Sequence, residues 1–231
     1  MKICVIGDIH GTTKWIDCYQ QILEKDNDCD KIIVLGDWFD PYENIPINIM
    51  CERFQEFVSD LNTDNRIISI LGNHDLSTYI IPNDCTNRTV RFGEKKSIIT
   101  DCIKQIIDKS QLAFVYKDYI VSHAGFSQTW FDNHIKYQDM LLNNHIGWKQ
   151  DELAELVSYS CWDNSGYGDD ISQGCTWIRP YSLCMDAIDG YNQIIGHSQV
   201  SDISSITISK NNKTLWFVDN QRKSEYLTLN I

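Results

Sequence analysis

An α/β fold is predicted for this 231-residue chain, and three observations carry the prediction. Short β-rich apolar runs recur in the first third, longer amphipathic stretches separate them, and each run ends in glycine followed by polar residues. Alternation of that kind builds a sheet of parallel strands covered by helices. It also brings the carboxyl ends of the strands to one edge.

The first run is Lys2–Ile6, apolar ahead of Gly7. Thr12–Lys25 follows with Trp15, Ile16, Tyr19, Ile22 and Leu23 at helical spacing, so one face of this helix is expected to pack on the sheet. Lys31–Leu35 reads as the second strand. Ile47–Leu61 reads as the second helix, its packing face made of Ile49, Met50, Phe54, Phe57, Val58 and Leu61. Arg66–Leu71 completes β-α-β-α-β. Residues 76–95 are polar and rich in turn formers, among them Pro82, Asn83, Asp84 and Gly93, and are expected to leave the sheet. Ser97–Lys109 reads as a helix. Leu112–Tyr116 and Tyr119–His123 flank Lys117-Asp118, a short connection that predicts a hairpin. From Ser127 to Met185 the pattern is less regular, with helices expected over Trp130–Leu142 and Lys149–Ser158 and a loop over Gly166–Gly174. Tyr191–Ile195, Ile203–Ser209, Thr214–Asp219 and Tyr226–Leu229 then read as successive strands, with Asn211-Asn212-Lys213 as turn chemistry. The expected organisation is one domain over residues 1–231, with a second, C-terminal sheet and cap-like insertions near 76–95 and 126–185.

Composition supports a well-filled core and narrows the function. At 42% hydrophobic and 11% aromatic, with 4 prolines and 12 glycines, the chain has the make-up of a globular protein and not of a disordered one. Its formal charge of −12 argues against a broad basic face for nucleic acid, because backbone binding relies on Lys and Arg displacing counterions. Bound divalent cations would supply local positive charge, so a phosphate ligand is compatible with an acidic chain. The 9 cysteines are odd in number, show no CxxC spacing and sit in apolar runs such as that around Cys4, which points to reduced thiols. The chain passes directly into the first strand with Lys2 its only early charge, so no secretory signal is expected, and no apolar stretch approaches about 20 residues. A cytoplasmic protein without a membrane segment is the expectation.

Metal-capable side chains gather where the strands stop. Asp8 and His10 lie in GDIHG, Asp37 and Asp40 in GDWFD, Asn73 and His74 in GNHD, His123 in SHAG and His197 in GHS. Imidazole and carboxylate without thiolate suit Mn, Fe or Zn, and argue against a structural zinc knot. Asp8, His10, Asp37, Asn73, His123 and His197 are more ligands than one ion needs. They divide between two ions about 3.5–4 Å apart if one carboxylate bridges, and Asp37 is the chosen bridge.

In this order, GDIHG, GDWFD, GNHD, SHAG and GHS resemble the successive motifs of the calcineurin-like metallophosphoesterase superfamily, over residues 7–198. The resemblance implies a four-layer fold, a central β-sandwich flanked by helices, with a dinuclear metal site at the carboxyl ends of the strands. It implies Asp8 and His10 on the first metal, Asp37 between the two, and Asn73, His123 and His197 on the second. It also implies that His74 acts as an acid near the leaving group, oriented by Asp40, because a carboxylate there would hold one imidazole tautomer. The implied nucleophile is a metal-bound hydroxide attacking phosphorus in line. Manganese is the first cofactor expectation, with iron, zinc, nickel or magnesium as alternatives.

Two departures from the family pattern bear on the substrate. The second histidine of a GHxH motif is replaced by Gln199, which resembles the serine/threonine protein phosphatase and diadenosine tetraphosphatase branch more than the nucleases. That branch usually carries an arginine directly after GDxxD, where this chain reads Pro41-Tyr42. Loss of a fixed cation at a developing phosphorane ordinarily costs about 3–4 kcal/mol. Arg179, within Trp177–Pro180, resembles the tryptophan–arginine motif of bacterial phosphatases and tetraphosphatases and is the candidate clamp. The expected function is hydrolysis of phosphomonoesters on a phosphorylated protein or a small molecule. Dinucleoside polyphosphate hydrolysis is the alternative with a nucleotide substrate, suggested by Trp130 after SHAG and by the 177–180 segment. The missing arginine suggests a third reading, a phosphodiesterase or nuclease, against which the acidic chain weighs. An inactive binding module that kept the fold is the reading from outside enzymology. His134 and His145 lack motif partners and are assigned to packing or solvent, and Asp219 to structure.

Overall fold

The computed structural model describes residues 1–80, 95–157, 169–210, 212–220 and 223–231. Strands β1 (Lys2–Ile6), β2 (Lys31–Val34) and β3 (Ile67–Ser69) pair in parallel, joined by helices α1 (Lys14–Lys25) and α2 (Ile47–Thr63). The β-α-β-α-β reading therefore stands. Next come α3 (Asn73–Ile80) and α4 (Lys96–Ile103), then a single 3-10 turn over Ile107–Lys109 where a longer helix is expected. β4 (Ala113–Tyr116) and β5 (Tyr119–Ser122) form the hairpin, turning through Lys117 at a φ of 51°. The expected helix over Trp130–Leu142 is two helices, α5 (Gln128–Asn133) and α6 (Ile135–Leu142). They break at His134, whose ring stacks on Trp130 at 4.5 Å and whose Nδ1 lies 2.7 Å from the Trp130 carbonyl. α7 (Gln150–Leu156) and α8 (Pro180–Asp186) precede β6 (Asn192–Ile195), β7 (Ser204–Ile208), β8 (Lys213–Phe217) and β9 (Leu227–Asn230).

The sheets divide these strands differently from the linear reading. β9 pairs antiparallel with β1, Val5 opposite Leu227, and completes a sheet in the order β3-β2-β1-β9. The second sheet takes the hairpin instead, in the order β4-β5-β6-β8-β7. The edge of β1 remote from β2 carries backbone N–H and C=O groups that need partners, and β9 supplies them while burying Leu227 beside Ile3 and Val5.

Period-two alternation then sets the layers. Ile3 and Val5 of β1 point between the sheets, where Ile33, Phe114, Val121 and Ile194 meet them. Cys4, Ile6, Ile32 and Val34 point the other way, onto Trp15, Cys18 and Ile22 of α1 and Phe54 and Phe57 of α2. Outside the second sheet, Ile195, Leu215 and Phe217 pack with Leu183 of α8. Each large side chain so buried contributes about 1.5–3 kcal/mol. Two sheets face each other between helical layers, as the fold expectation requires.

α3 carries the chain helically to Ile80, although its sequence NHDLSTYI is rich in polar residues. Ser77 Oγ and Thr78 Oγ1 donate back to the His74 carbonyl at 3.1 and 2.8 Å, so their polarity is absorbed by the helix itself. Residues 81–94 and 158–168 lie outside the described residues, and with them most of the first expected insertion and the Gly166 end of the expected loop. Among the described residues no helix is long and apolar enough to cross a membrane.

Candidate metal centre and active-site cleft

The carboxyl ends of β1, β2, β3, β5 and β6 meet at one crevice. Asp8 follows β1, and both of its carboxylate oxygens accept the His197 N–H at 3.1 Å. His10 donates Nδ1–H to the Asp40 carbonyl at 2.9 Å. That bond turns His10 Nε2 toward Asp8 and Asp37, at 3.8 and 3.7 Å. Asp37 follows β2. Its Oδ1 accepts the His74 N–H at 2.9 Å, at the positive end of the α3 dipole. His123, after β5, is 2.7 Å from the Leu35 carbonyl through Nδ1, and a carbonyl can only accept, so the proton sits there. Its Nε2 is 2.9 Å from Asn73 Oδ1 and 3.5 Å from Asp37 Oδ2.

Two of these contacts test whether a cation fits. His123 Nε2 and Asn73 Oδ1 turn lone pairs toward each other, while Asn73 Nδ2 and His197 Nε2 are buried without hydrogen-bond partners. A buried donor set of this kind is costly by itself and suits a metal ion. Two groups offer ligand atoms lying within 4.8 Å of one another: Asp8, His10 and Asp37, and Asp37, His123 and His197. Asp37 is common to both.

Charge in the crevice is unbalanced in the same sense. Burial pushes the Asp37 carboxyl well above the usual range, and repulsion from Asp8 and Asp75 pushes it further. Burial acts the same way on Asp8, but the His123 and His10 rings and the His197 N–H outweigh it and hold that carboxyl low. Burial drives His197 well down, helped by His123 and Arg179, and burial also lowers His123. Both therefore present neutral imidazoles, the form that ligates metals. His10 goes the other way, because Asp8 outweighs the effect of burial.

The backbone is bent to make this arrangement. His10, Asp37, Asp40 and His197 all take left-handed conformations, with φ of 47°, 51°, 67° and 59°. For a residue bearing a Cβ this costs about 1–2 kcal/mol each and persists only where the surroundings enforce it. Gly72 and Gly196 have a different task, close approach. A Cβ on Gly72 would lie 2.1 Å from Asp37 Oδ1, and one on Gly196 would lie 2.2 Å from Asp8 Oδ1.

A cleft of about 350 Å³ opens above the crevice, walled by His74, Tyr42, Trp177, Arg179, His197 and Gln199, among others. His74 Nδ1 lies 3.1 Å from Asp40 Oδ2. Arg179 Nη1 donates to the His197 carbonyl at 3.3 Å and to Ser198 Oγ at 3.2 Å. Every site residue expected from the sequence thus reaches the crevice or its cleft. His134 and His145 pack on Trp130 and Trp148 instead.

Sequence reasoning missed Asp75. Fully buried at the first turn of α3, its carboxylate accepts the N–H groups of Asp37, Trp38 and Gly72 at 2.8, 3.0 and 2.9 Å. It holds the post-β2 loop against the post-β3 loop. Its signal was present as the last letter of GNHD. Lys14 gave no signal: its Nζ is buried without a hydrogen-bond partner, and burial lowers its pKa against the pull of Asp219 and Asp8. Asp219, fully buried, also raises His10.

A helix-flanked β-sandwich carrying two Asp/His groups at its strand ends is the architecture of a metallohydrolase. The family profile described as calcineurin-like phosphoesterase matches residues 1–201, and the chain belongs to that family of phosphoester hydrolases. No curated protein sequence matches the chain. Among solved structures, a cold-active protein-tyrosine phosphatase from the psychrophile Shewanella sp. is similar with a TM-score of 0.59 at 16% identity, over 99% of this chain and 75% of that one. A protein serine/threonine phosphatase from Saccharomyces cerevisiae gives 0.50 at 15% identity, over 94% and 67% of the two chains. A candidate diadenosine tetraphosphatase gives 0.50 at 13%, over 99% and 92%. At these identities the likeness is one of fold.

Proposed function

We propose that this phosphoesterase is a metal-dependent phosphomonoesterase of the protein-phosphatase-like kind, acting on a phosphorylated protein or a small phosphate ester. The observation that carries the reading is Asp37, shared by both ligand groups with His74 beside it. Asp8 and His10 would hold one divalent cation, Asn73, His123 and His197 a second, and Asp37 both, with manganese the first choice and iron, zinc, nickel or magnesium behind it. When bound, such ions lower the pKa of coordinated water from 15.7 toward about 7 and polarise phosphoryl oxygens.

The chain's own residues supply the rest. His74, in the cleft wall with Nδ1 3.1 Å from Asp40 Oδ2, gives a proton to the departing oxygen. Arg179, fixed against His197 and Ser198, takes a phosphoryl oxygen in place of the arginine missing after Asp40. Asp75 keeps Asp37 in place. The names of two of the similar structures, protein-tyrosine and serine/threonine phosphatases, agree with a phosphoprotein substrate. Cys4, Cys18, Cys29, Cys102 and Cys175, all buried free thiols, agree with a reducing, cytoplasmic setting.

The test is phosphate release from p-nitrophenyl phosphate with added Mn. Activity should appear with metal and vanish in Asp8→Ala and His197→Ala; inactivity with every divalent metal sinks the reading. A dinucleoside polyphosphate substrate is the second reading, favoured by Trp177 and Arg179 side by side in the cleft wall. Faster turnover of dinucleoside tetraphosphate than of any monoester would decide for it.

A further inference from the structure

We propose that Tyr42 makes this site selective for aryl phosphate monoesters, esters whose aromatic ring is bonded directly to the phosphate oxygen, as in tyrosyl phosphate. The inference rests on the phosphomonoesterase reading. Tyr42 stands one residue beyond the place where the family's arginine is missing, in the wall of the same cleft as Asp37 and His74. It is 62% exposed, whereas His10 and Asp37 beneath it are 3% and 2% exposed. An aromatic ring held in that position offers a face that a ligand can cover.

Geometry says which part of the substrate covers it. The Tyr42 ring centroid is 4.8 Å from that of His10, tilted by 59°, and the His10 centroid is 5.4 Å from that of His74. His74, the proposed proton donor, marks the side on which the ester oxygen departs, so the organic part of the substrate leaves the metals past His74 and Tyr42. Arg179 belongs to the other group, bonded to the His197 carbonyl and Ser198. A ring on the ester oxygen is one atom from phosphorus, so it would lie beside Tyr42, and aromatic pairs favour centroid spacings of about 4.5–7 Å. A nucleobase is held away by its ribose.

Leaving-group chemistry agrees. Water oxygen bonds to phosphorus, the bond from phosphorus to the aryl oxygen breaks, and its electron pair stays on that oxygen. His74 supplies the proton, and the products are a phenol and inorganic phosphate. A phenol has a pKa near 10, far below that of an aliphatic alcohol, so its oxygen departs with less need of a cation on that side. A tyrosine where the family has an arginine nearby is consistent with such a substrate.

The experiment compares phosphotyrosine with phosphoserine, and phenylphosphonate with methylphosphonate, on the Mn-loaded wild type, Tyr42→Ala and Tyr42→Phe. Intrinsic reactivity of each ester is the same in all three proteins, so the ratio of kcat/KM values isolates Tyr42. Tyr42→Ala should lower the phosphotyrosine to phosphoserine ratio about three- to tenfold, and Tyr42→Phe should keep it. Calorimetry should show the same change in the phenyl- to methylphosphonate affinity ratio. That binding arm reads Tyr42 even without turnover, so failure of the phosphomonoesterase reading is seen separately, as absent phosphate release. An unchanged ratio in Tyr42→Ala overturns the proposal, as does adenosine monophosphate depending on Tyr42 more than phosphotyrosine does.

Discussion

His74 is held at two points, through its backbone N–H to Asp37 Oδ1 at 2.9 Å and through Nδ1 against Asp40 Oδ2 at 3.1 Å. The hydrogen bond ties it to the carboxylate shared by both ligand groups, and the contact with Asp40 sets a negative charge beside Nδ1 while Nε2 lies 3.8 Å from Asp37 Oδ2. A group placed so should matter in proportion to how badly the departing oxygen needs a proton. His74→Ala is expected to lower kcat on phosphoserine by about 10²–10⁴ and on p-nitrophenyl phosphate, whose anion leaves readily, by much less. Steady-state kinetics on the two esters checks this. Equal losses on both would mean that His74 serves only to hold Asp37, and the acid assignment would fall. Asp40 has a second duty, since its carbonyl accepts His10 Nδ1–H, a bond that a side-chain change leaves intact. Asp40→Asn should therefore weaken the leaving-group step while sparing the His10 orientation.

At the scale of elements, the loops that leave the strands place the ligands, and they depend on close approach. Gly196 ends β6 where the chain passes over Asp8, and an added methyl would lie 2.2 Å from Asp8 Oδ1. Gly196→Ala must displace either that carboxylate or the β6 end carrying His197. A stability loss of about 1–3 kcal/mol is expected, with activity falling further than stability explains. Gly190→Ala is the control: its φ of +87° strains a side chain, but nothing lies within 4 Å, so it should unfold more easily yet keep its turnover when folded. Thermal melts beside phosphate-release rates separate the two effects. The loops were legible in the sequence because each ligand motif follows an apolar run directly, as Gly7-Asp8 follows Lys2–Ile6. Local order of that kind survives folding. What the sequence did not disclose depends on partners far along the chain. Leu227 could be read as strand, but not as the neighbour of Val5, and Pro180–Asp186 is too short to read as a helix and does not sort by polarity, since Tyr181 and Met185 are exposed while Ser182 is buried. Asp75 escaped because a helix-starting aspartate is ordinary until the three N–H groups it accepts come into place.

For the molecule as a whole, the acidic balance and the site share one electrostatic logic. The chain carries −12 overall, and Asp8, Asp37, Asp75 and Asp219 are buried together near the crevice. Without cations, Asp37 opposes folding through the burial and repulsion that raise its pKa. On the proposed reading, cations would make the same carboxylate the link between two halves of the sandwich: Asp8 and His10 come from the loop after the first sheet's β1, His123 and His197 from the second sheet's β5 and β6. Metal should thus stabilise the whole fold as well as the reaction. Cation at about 100 times its dissociation constant contributes about 2.7 kcal/mol per site, and for a domain of this size each kcal/mol raises Tm by about 2–4 °C. Scanning calorimetry with chelator and then with Mn should show a rise of roughly 5–10 °C or more. Asp37→Asn should melt no earlier than the wild type in chelator, because a buried charge is gone, and should lose most of the metal-induced rise. A wild type indifferent to metal, or an Asp37→Asn variant that gains as much from Mn as the wild type does, would show that Asp37 does not join the two ligand groups.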